Sequence, residues 1–354
     1  MTTTTFTDRA MSPIALRGRR LPHSALWVIA SAVAALLGLA LFLTGHRSYG
    51  LFAALYAPVY TVTLTVVSGV VEGWRHAKDR VATALVTMCF VLALLPLVSV
   101  LAYTVLDGIG RLDWYFLQHS MRNVGPRDDA GGAYHAIVGT LEQVGLATLI
   151  AVPVGLLTAV YLVEYGRGRL AKAVTFFVDV MTGIPSIVAG LFILSAFILL
   201  FGFRYAGVFG AMALAILMIP VVVRSAEEML KLVPDALREA AYALGVPKWK
   251  TVLRVVMPTA LTGIVTGVML AVARVMGETA PLLLTTFYLP SINMNPFYQP
   301  QASLPVFVWT EWQKGLPIAT ERAAAGALTL ILLVMLLNLI ARLIAWWKAP
   351  KTDR

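Results

Sequence analysis

The chain is short of charge and nearly devoid of cysteine. Charged residues make up 13% of its 354 positions, about half of the ~25% of an ordinary soluble domain. Hydrophobic residues reach 59% and the mean hydropathy is +0.81. No soluble core of this length needs so much apolar sequence, which excludes a water-soluble enzyme. The single cysteine, Cys89, stands in an apolar run, so an intrachain disulfide and a cysteine-based zinc site are excluded too. The five histidines, at 23, 46, 76, 119 and 135, show no metal-ligand spacing. There is no GxxxxGK-Ser/Thr phosphate loop, and no nucleophile–base pair in a plausible soluble segment, which predicts a chain that hydrolyses nothing itself. Internal repeats are absent as well. The net charge of +10 would suit a nucleic-acid partner, but in so apolar a chain its commoner cause is a cytoplasmic face loaded with Lys and Arg. The sequence is that of an all-α, polytopic integral membrane protein.

A span needs about 20 mostly apolar residues. Eight stretches qualify: Ala25–Thr44, Leu51–Val71, Ala82–Leu106, Ala136–Val163, Val174–Phe201, Val208–Val223, Pro258–Leu284 and Ala323–Trp346. Pro96, Pro153, Pro185, Pro220 and Pro258 lie in them; bilayer helices tolerate proline where neighbours re-satisfy the backbone, and Gly183 with Pro185 reads as an ordinary kink. Twenty of the 28 Lys and Arg fall in the two tails and in alternate loops (Glu72–Arg80, Glu164–Ala173, Arg224–Arg254), against seven in the others, with Arg274 inside a span. By the positive-inside rule both termini are cytoplasmic. Arg17–Arg20 before the first span resembles the start of a signal peptide, but its 20-residue apolar run exceeds the roughly 7–15 of such a peptide, so a retained anchor is expected. The organisation read from this is a cytoplasmic tail (1–24, with 1–20 disordered), a two-span hairpin (25–80), a six-span core (81–346) and a short cytoplasmic tail (347–354). Two long outer segments, Asp107–His135 and Phe287–Glu321, are connectors or docking surfaces.

The informative loop is the longest cytoplasmic one, 234–258. Pro234 suits a first helical position, Asp235 and Glu239 favour the positive helix end, and Leu237, Ala240, Ala241 and Leu244 make one narrow apolar face. Gly245 stops the helix in a left-handed conformation and Pro247 follows as a breaker. A three-turn, one-sided helix between two spans suits docking in a groove of another protein; the bland alternative, an interfacial helix on lipid, has too little apolar bulk. Glu239-Ala240-Ala241, three residues, Gly245, nine residues, then Val255-Val-Met-Pro258 resembles the EAA loop of ABC-importer permeases, with Val255 and Met257 in place of Ile and Leu. Gly183–Phe192, Gly139–Tyr165 and Arg274–Leu283, above all Gly277-Glu-Thr-Ala-Pro281, resemble the phosphate-importer branch, PstA type. The likeness covers about residues 82–346, and the hairpin at 25–80 departs from it.

The resemblance implies a phosphate-translocating subunit without a cofactor of its own, paired with a PstC-type permease. It implies two copies of a cytoplasmic ABC ATPase that bind ATP and Mg, an extracytoplasmic phosphate-binding protein, and a bacterial-type plasma (inner) membrane location. It further implies that Glu239, Ala240, Ala241 and Gly245 form the ATPase-coupling surface. Rival readings are a permease for sulfate, molybdate or phosphonate, a secondary transporter or channel, and an inactive scaffold subunit. Arg274 and Glu278 are the candidate substrate-path residues, read as a pair one turn apart on one face of the seventh span. Pro258 to Arg274 is 16 residues, or about 24 Å, which puts the guanidinium in the outer half of the bilayer. Such a charge costs at least ~2.5–3.5 kcal/mol unless it meets a partner or water. It serves either a structural ion pair or an anion path. Gly263 and Gly267 form a GxxxG whose modest reading is close helix packing.

Overall fold

The computed structural model describes residues 21–45 and 48–348. The tail read at 1–20, Arg47 and residues 349–354 lie outside the described residues. Every described element is helical: α1 His23–Leu43, α2 Tyr49–Val71, α3 Trp74–Gly108, α4 Trp114–Gln118, α5 Tyr134–Val160, α6 Arg169–Thr182, α7 Ser186–Ile193, α8 Gly207–Lys231, α9 Asp235–Ala243, α10 Lys248–Thr251, α11 Met257–Met276, α12 Ala280–Thr285, α13 Leu304–Gln313 and α14 Pro317–Lys348. Short π-turns prolong α5 to Tyr165 and α7 to Leu200, and join α10 to α11. Among the described residues seven helices are long and apolar enough to cross a membrane, and eight if the bent pair α6–α7 counts as one span.

Two compact units divide at Leu101, inside α3, whereas the sequence reading begins the core at 81. In the first, α1 packs against α2, with the Tyr56 hydroxyl donating to the Ala30 carbonyl at 3.3 Å, and Val33 of α1 and Leu64 of α2 are buried. The turn into α3 is fastened by Glu72, which accepts from Arg80 Nε at 2.6 Å, Ser68 Oγ at 2.8 Å and the Leu21 amide at 2.6 Å. Those donors hold its carboxyl down at about 2, Arg80 foremost.

In the second unit α8 is the most enclosed span. It extends to Lys231, two turns past the Val223 read from hydropathy, because Arg224, Glu227 and Lys231 pair with one another there and the carboxylate is shielded. Small residues of α5 (Ala147, Ala151, Gly155) let it lie close against Leu214, Met218 and Val222 of α8. A Cβ on Gly155 would come within 2.7 Å of Val222 Cγ1. Gly263 and Gly267 of α11 sit directly on Met229 and Ser225 of α8, so the GxxxG is a packing face.

The fifth sequence span is corrected. It is two helices, α6 and α7, bent by 104° at Gly183–Pro185. Pro185 has no N–H for the carbonyl four residues back and its ring clashes with it; Gly183, the C-cap of α6, ends the preceding turn. Prolines 96, 153 and 220, without a terminating glycine beside them, are carried inside continuous helices.

Candidate functional site

The seventh span breaks in the same way. α11 ends at Met276, Gly277 caps it, and α12 starts afresh at Ala280 with Pro281 in its first turn. Continuing the helix would need an N–H on Pro281 for the Gly277 carbonyl, and proline has none. Glu278 therefore does not follow Arg274 along a helical face, as the spacing suggested. It lies in the break, its amide donating to the Val275 carbonyl at 3.2 Å. The two breaks are held together: Gly190 of α7 abuts α12, where an added Cβ would meet Pro281 Cα at 2.7 Å.

Between them is a cavity of about 210 Å³. Met181, Thr182, Ile184, Pro185 and Ser186 line it from the first break, Arg274 and Glu278 from the second, and Leu217, Pro220 and Val221 from α8. One water occupies about 30 Å³ of liquid, so the space suits a small solvated ion. Arg274 is exposed to it and Glu278 half-buried, and among the described residues neither forms an ion pair, with the other or with any third group. The ion pair between Arg274 and Glu278 that the structural reading expects is not formed among the described residues. α7 begins at Ser186 without a side-chain cap, so the positive end of its dipole opens on the same space. One turn along α8 from Val221, Arg224 binds Asp179 of α6 and Glu227, tying the first broken helix to α8.

At the far end of α8 sits α9. Gly245 has φ 76°, and two hydrogen bonds close the helix end: the Gly245 amide to Tyr242 O at 2.9 Å and the Val246 amide to Ala241 O at 3.1 Å. This is the Schellman arrangement expected of a left-handed glycine. Glu239, Ala240 and Gly245 are exposed, as are Leu237 and Leu244. Ala241 is corrected: it is buried, because α9 lies on the α10–α11 turn with that side inward, so it supports the helix and offers a partner no side chain. Lys248 of α10 lies over the Tyr165 ring at 5.0 Å. Sequence reasoning missed Arg238, counted only as a loop charge. Its Nε donates to Glu164 Oε1 at 3.0 Å, Nη1 to Val233 O at 2.6 Å and Nη2 to Leu230 O at 3.0 Å. A signal existed: an acid such as Glu164 at a helix C-terminal end is disfavoured by the dipole unless a cation meets it.

A bundle of membrane-crossing helices, two of them broken around an arginine-bearing cavity, with a short amphipathic helix beyond, is the build of a solute permease. Residues 151–354 match the family described as "Binding-protein-dependent transport system inner membrane component". A chain of the MetNI methionine ABC transporter, crystallised in an inward-facing conformation, shares the fold at a TM-score of 0.50 and 20% identity, covering 62% of this chain and 95% of its own. Phosphate transport system permease protein PstA 1 of Mycobacterium tuberculosis is 50% identical over 273 residues, 76% of this chain and 89% of that one. PstA of Yersinia pestis is 38% identical over 286 residues, 77% and 92% of the two chains. The chain belongs to the PstA family of binding-protein-dependent permeases, and it is a multi-pass membrane protein.

Proposed function

We propose that this chain is one permease half of an ATP-driven phosphate importer and that phosphate passes through the cavity at Arg274. The observation that carries the reading is an arginine unpaired among the described residues, in the last turn of α11, facing a cavity where two helices break. A planar, permanently charged guanidinium matches phosphate oxygens in bidentate fashion and offsets the cost of stripping the anion of water. Glu278, on the same wall, keeps that site from holding the anion too tightly. The relatives' names, which specify phosphate transport, support the choice of this anion over sulfate, molybdate or phosphonate.

The second half of the path comes from a PstC-type partner, and an extracytoplasmic binding protein delivers phosphate. Two copies of a cytoplasmic ATPase bind ATP and Mg and dock on α9 through Glu239, Ala240 and the Gly245 turn. The excess of Lys and Arg in the tails and alternate loops supports an orientation with both termini in the cytoplasm. ATP binding draws the two coupling helices together and turns the path outward; hydrolysis resets it, a two-state alternation biased from opposite faces. The test is uptake of radiolabelled phosphate by the reconstituted complex carrying Arg274→Gln. Assembly should be intact and uptake should fall by at least about 10-fold, the kinetic equivalent of ~1.4 kcal/mol. Uptake at the wild-type rate refutes the path; failure to assemble assigns Arg274 to structure instead.

A further inference from the structure

α9 is strung between α8 and α11, and Arg238 grips it to the ends of α8 and α5. The side chain is 12% exposed and the Glu164 carboxylate 4%. One edge of the guanidinium holds Glu164, in the π-turn that ends α5; the other two nitrogens reach the Leu230 and Val233 carbonyls where α8 ends. Asp235, an exposed acid on α9 itself, adds a contact to Nη1 at 3.1 Å. Lys248, over Tyr165, grips the end of α5 from α10.

The two spans so attached are not independent. α5 and α8 are in close contact through Ala151, Gly155, Met218 and Val222. α8 carries Leu217, Pro220 and Val221, which form one wall of the Arg274 cavity. From Lys231 back to Val221 is ten residues of continuous helix, about 15 Å. A well-packed pair of helices transmits displacement because interiors have low compressibility. A push on α9 therefore reaches the cavity wall by a short, stiff route, and its first joint is Arg238. Without that side chain, α9 is joined to the spans by the connectors at 232–234 and 244–247 and by the packing of Ala241 on the α10–α11 turn.

We propose that Arg238, seated on Glu164, is the positioning residue that converts movement of α9 into movement of the cavity wall, so that losing it uncouples ATP hydrolysis from transport. The proposal rests on the reading of α9 as the ATPase-docking helix. Arg238 and Glu164 touch neither phosphate nor the docking surface; they act through α5 and α8.

The experiment uses the whole complex reconstituted in liposomes, with Arg238→Met, Arg238→Lys and Glu164→Gln. Three quantities are read: ATPase subunits co-purified per permease, ATP hydrolysis, and phosphate taken up per ATP hydrolysed. Arg238→Met should keep its ATPase partners and hydrolyse ATP, while uptake per ATP falls by at least about 10-fold, within the usual range of coupling between distant sites. Arg238→Lys should rescue part of the loss, since a point charge can still pair with Glu164 but cannot fork to two carbonyls as well. Glu164→Gln should also lower the ratio. Wild-type uptake per ATP in Arg238→Met overturns the proposal. If that variant does not assemble, Glu164→Gln decides, because it leaves the bonds to Leu230 and Val233 in place; an unchanged ratio there overturns it too. A wild-type permease that co-purifies with no ATPase subunit sinks the underlying reading instead, and the two failures are distinct.

Discussion

Replacing Arg322 with methionine removes a guanidinium that is wholly buried. Arg322 Nε donates to Glu311 Oε2 at 3.0 Å, and its terminal nitrogens donate to the carbonyls of Asp128 (2.9 Å), Ala130 (3.1 Å) and Pro126 (3.1 Å). One side chain at the start of α14 thus pins the loop 107–135 to α13 and α14. Methionine leaves Glu311 buried with Lys314 as its remaining ion-pair partner among the described residues, and three carbonyls without this donor. Removing one partner of a buried ion pair costs about 3–5 kcal/mol, and each carbonyl left dry would add to that unless water enters. Taking the low end, local opening of the loop becomes about 100-fold more frequent, at ~1.4 kcal/mol per decade. The amides that close this loop are those of Ala133, bonded to Phe116 O at 2.8 Å, and Tyr134, bonded to His119 O at 3.0 Å. Hydrogen exchange of residues 116–134 in detergent-purified protein should accelerate by that factor, with exchange in the α5–α8 core unchanged. Arg322→Lys should fall between, keeping the charge for Glu311 and losing the fork. Exchange at the wild-type rate in Arg322→Met refutes the assignment of the loop's anchorage to this side chain.

Gly245→Val forces a β-branched residue into φ 76°, costing about 1–2 kcal/mol; capture of the ATPase by the detergent-solubilised permease should weaken, and undiminished capture with undiminished phosphate-stimulated ATPase activity speaks against docking at this turn. Gly190→Ala brings a methyl within 2.7 Å of Pro281 Cα and should separate the two breaks at a cost of about 1–3 kcal/mol. Uptake should then fall while ATPase capture stays normal, and unaltered uptake shows that the contact does not shape the path. Glu72, held at about 2 instead of the ordinary 4.5, stabilises the α2–α3 turn fully above pH 4.5, and that contribution drains away as the pH falls toward 2. Thermal unfolding compared between wild type and Glu72→Gln should show a gap at pH 6 that narrows as the pH is lowered toward 3; a gap independent of pH contradicts the titration.

Much of the architecture is written locally. Runs of apolar residues long enough to cross a bilayer mark seven helices and the bent pair whichever way the chain folds, because lipid accepts only segments that satisfy their own backbone. The stop at Gly245 is equally local: a left-handed glycine followed by proline ends a helix through its own last carbonyls. The Glu239–Pro258 pattern marks the α9 segment by sequence alone. Proline's effect was not local in that sense. Pro153 and Pro220 stay within helices while Pro185 and Pro281 accompany breaks, and the breaks come where a glycine ends the preceding turn and α7 and α12 press against each other at Gly190. That is why Glu278 leaves the helical face of Arg274. Which side of α9 faces inward was also undecided, since Ala240 and Ala241 are alike until the α10–α11 turn is packed beneath one of them. Arg238 and Glu164 are 74 positions apart, and Arg322 and Asp128 are 194 apart. In the sequence these arginines are topological charges like their neighbours. Hydropathy cannot tell a lipid-facing surface from a protein-facing one, because both are apolar; the tertiary structure alone brings each buried charge to the carboxylate and carbonyls that make its burial affordable.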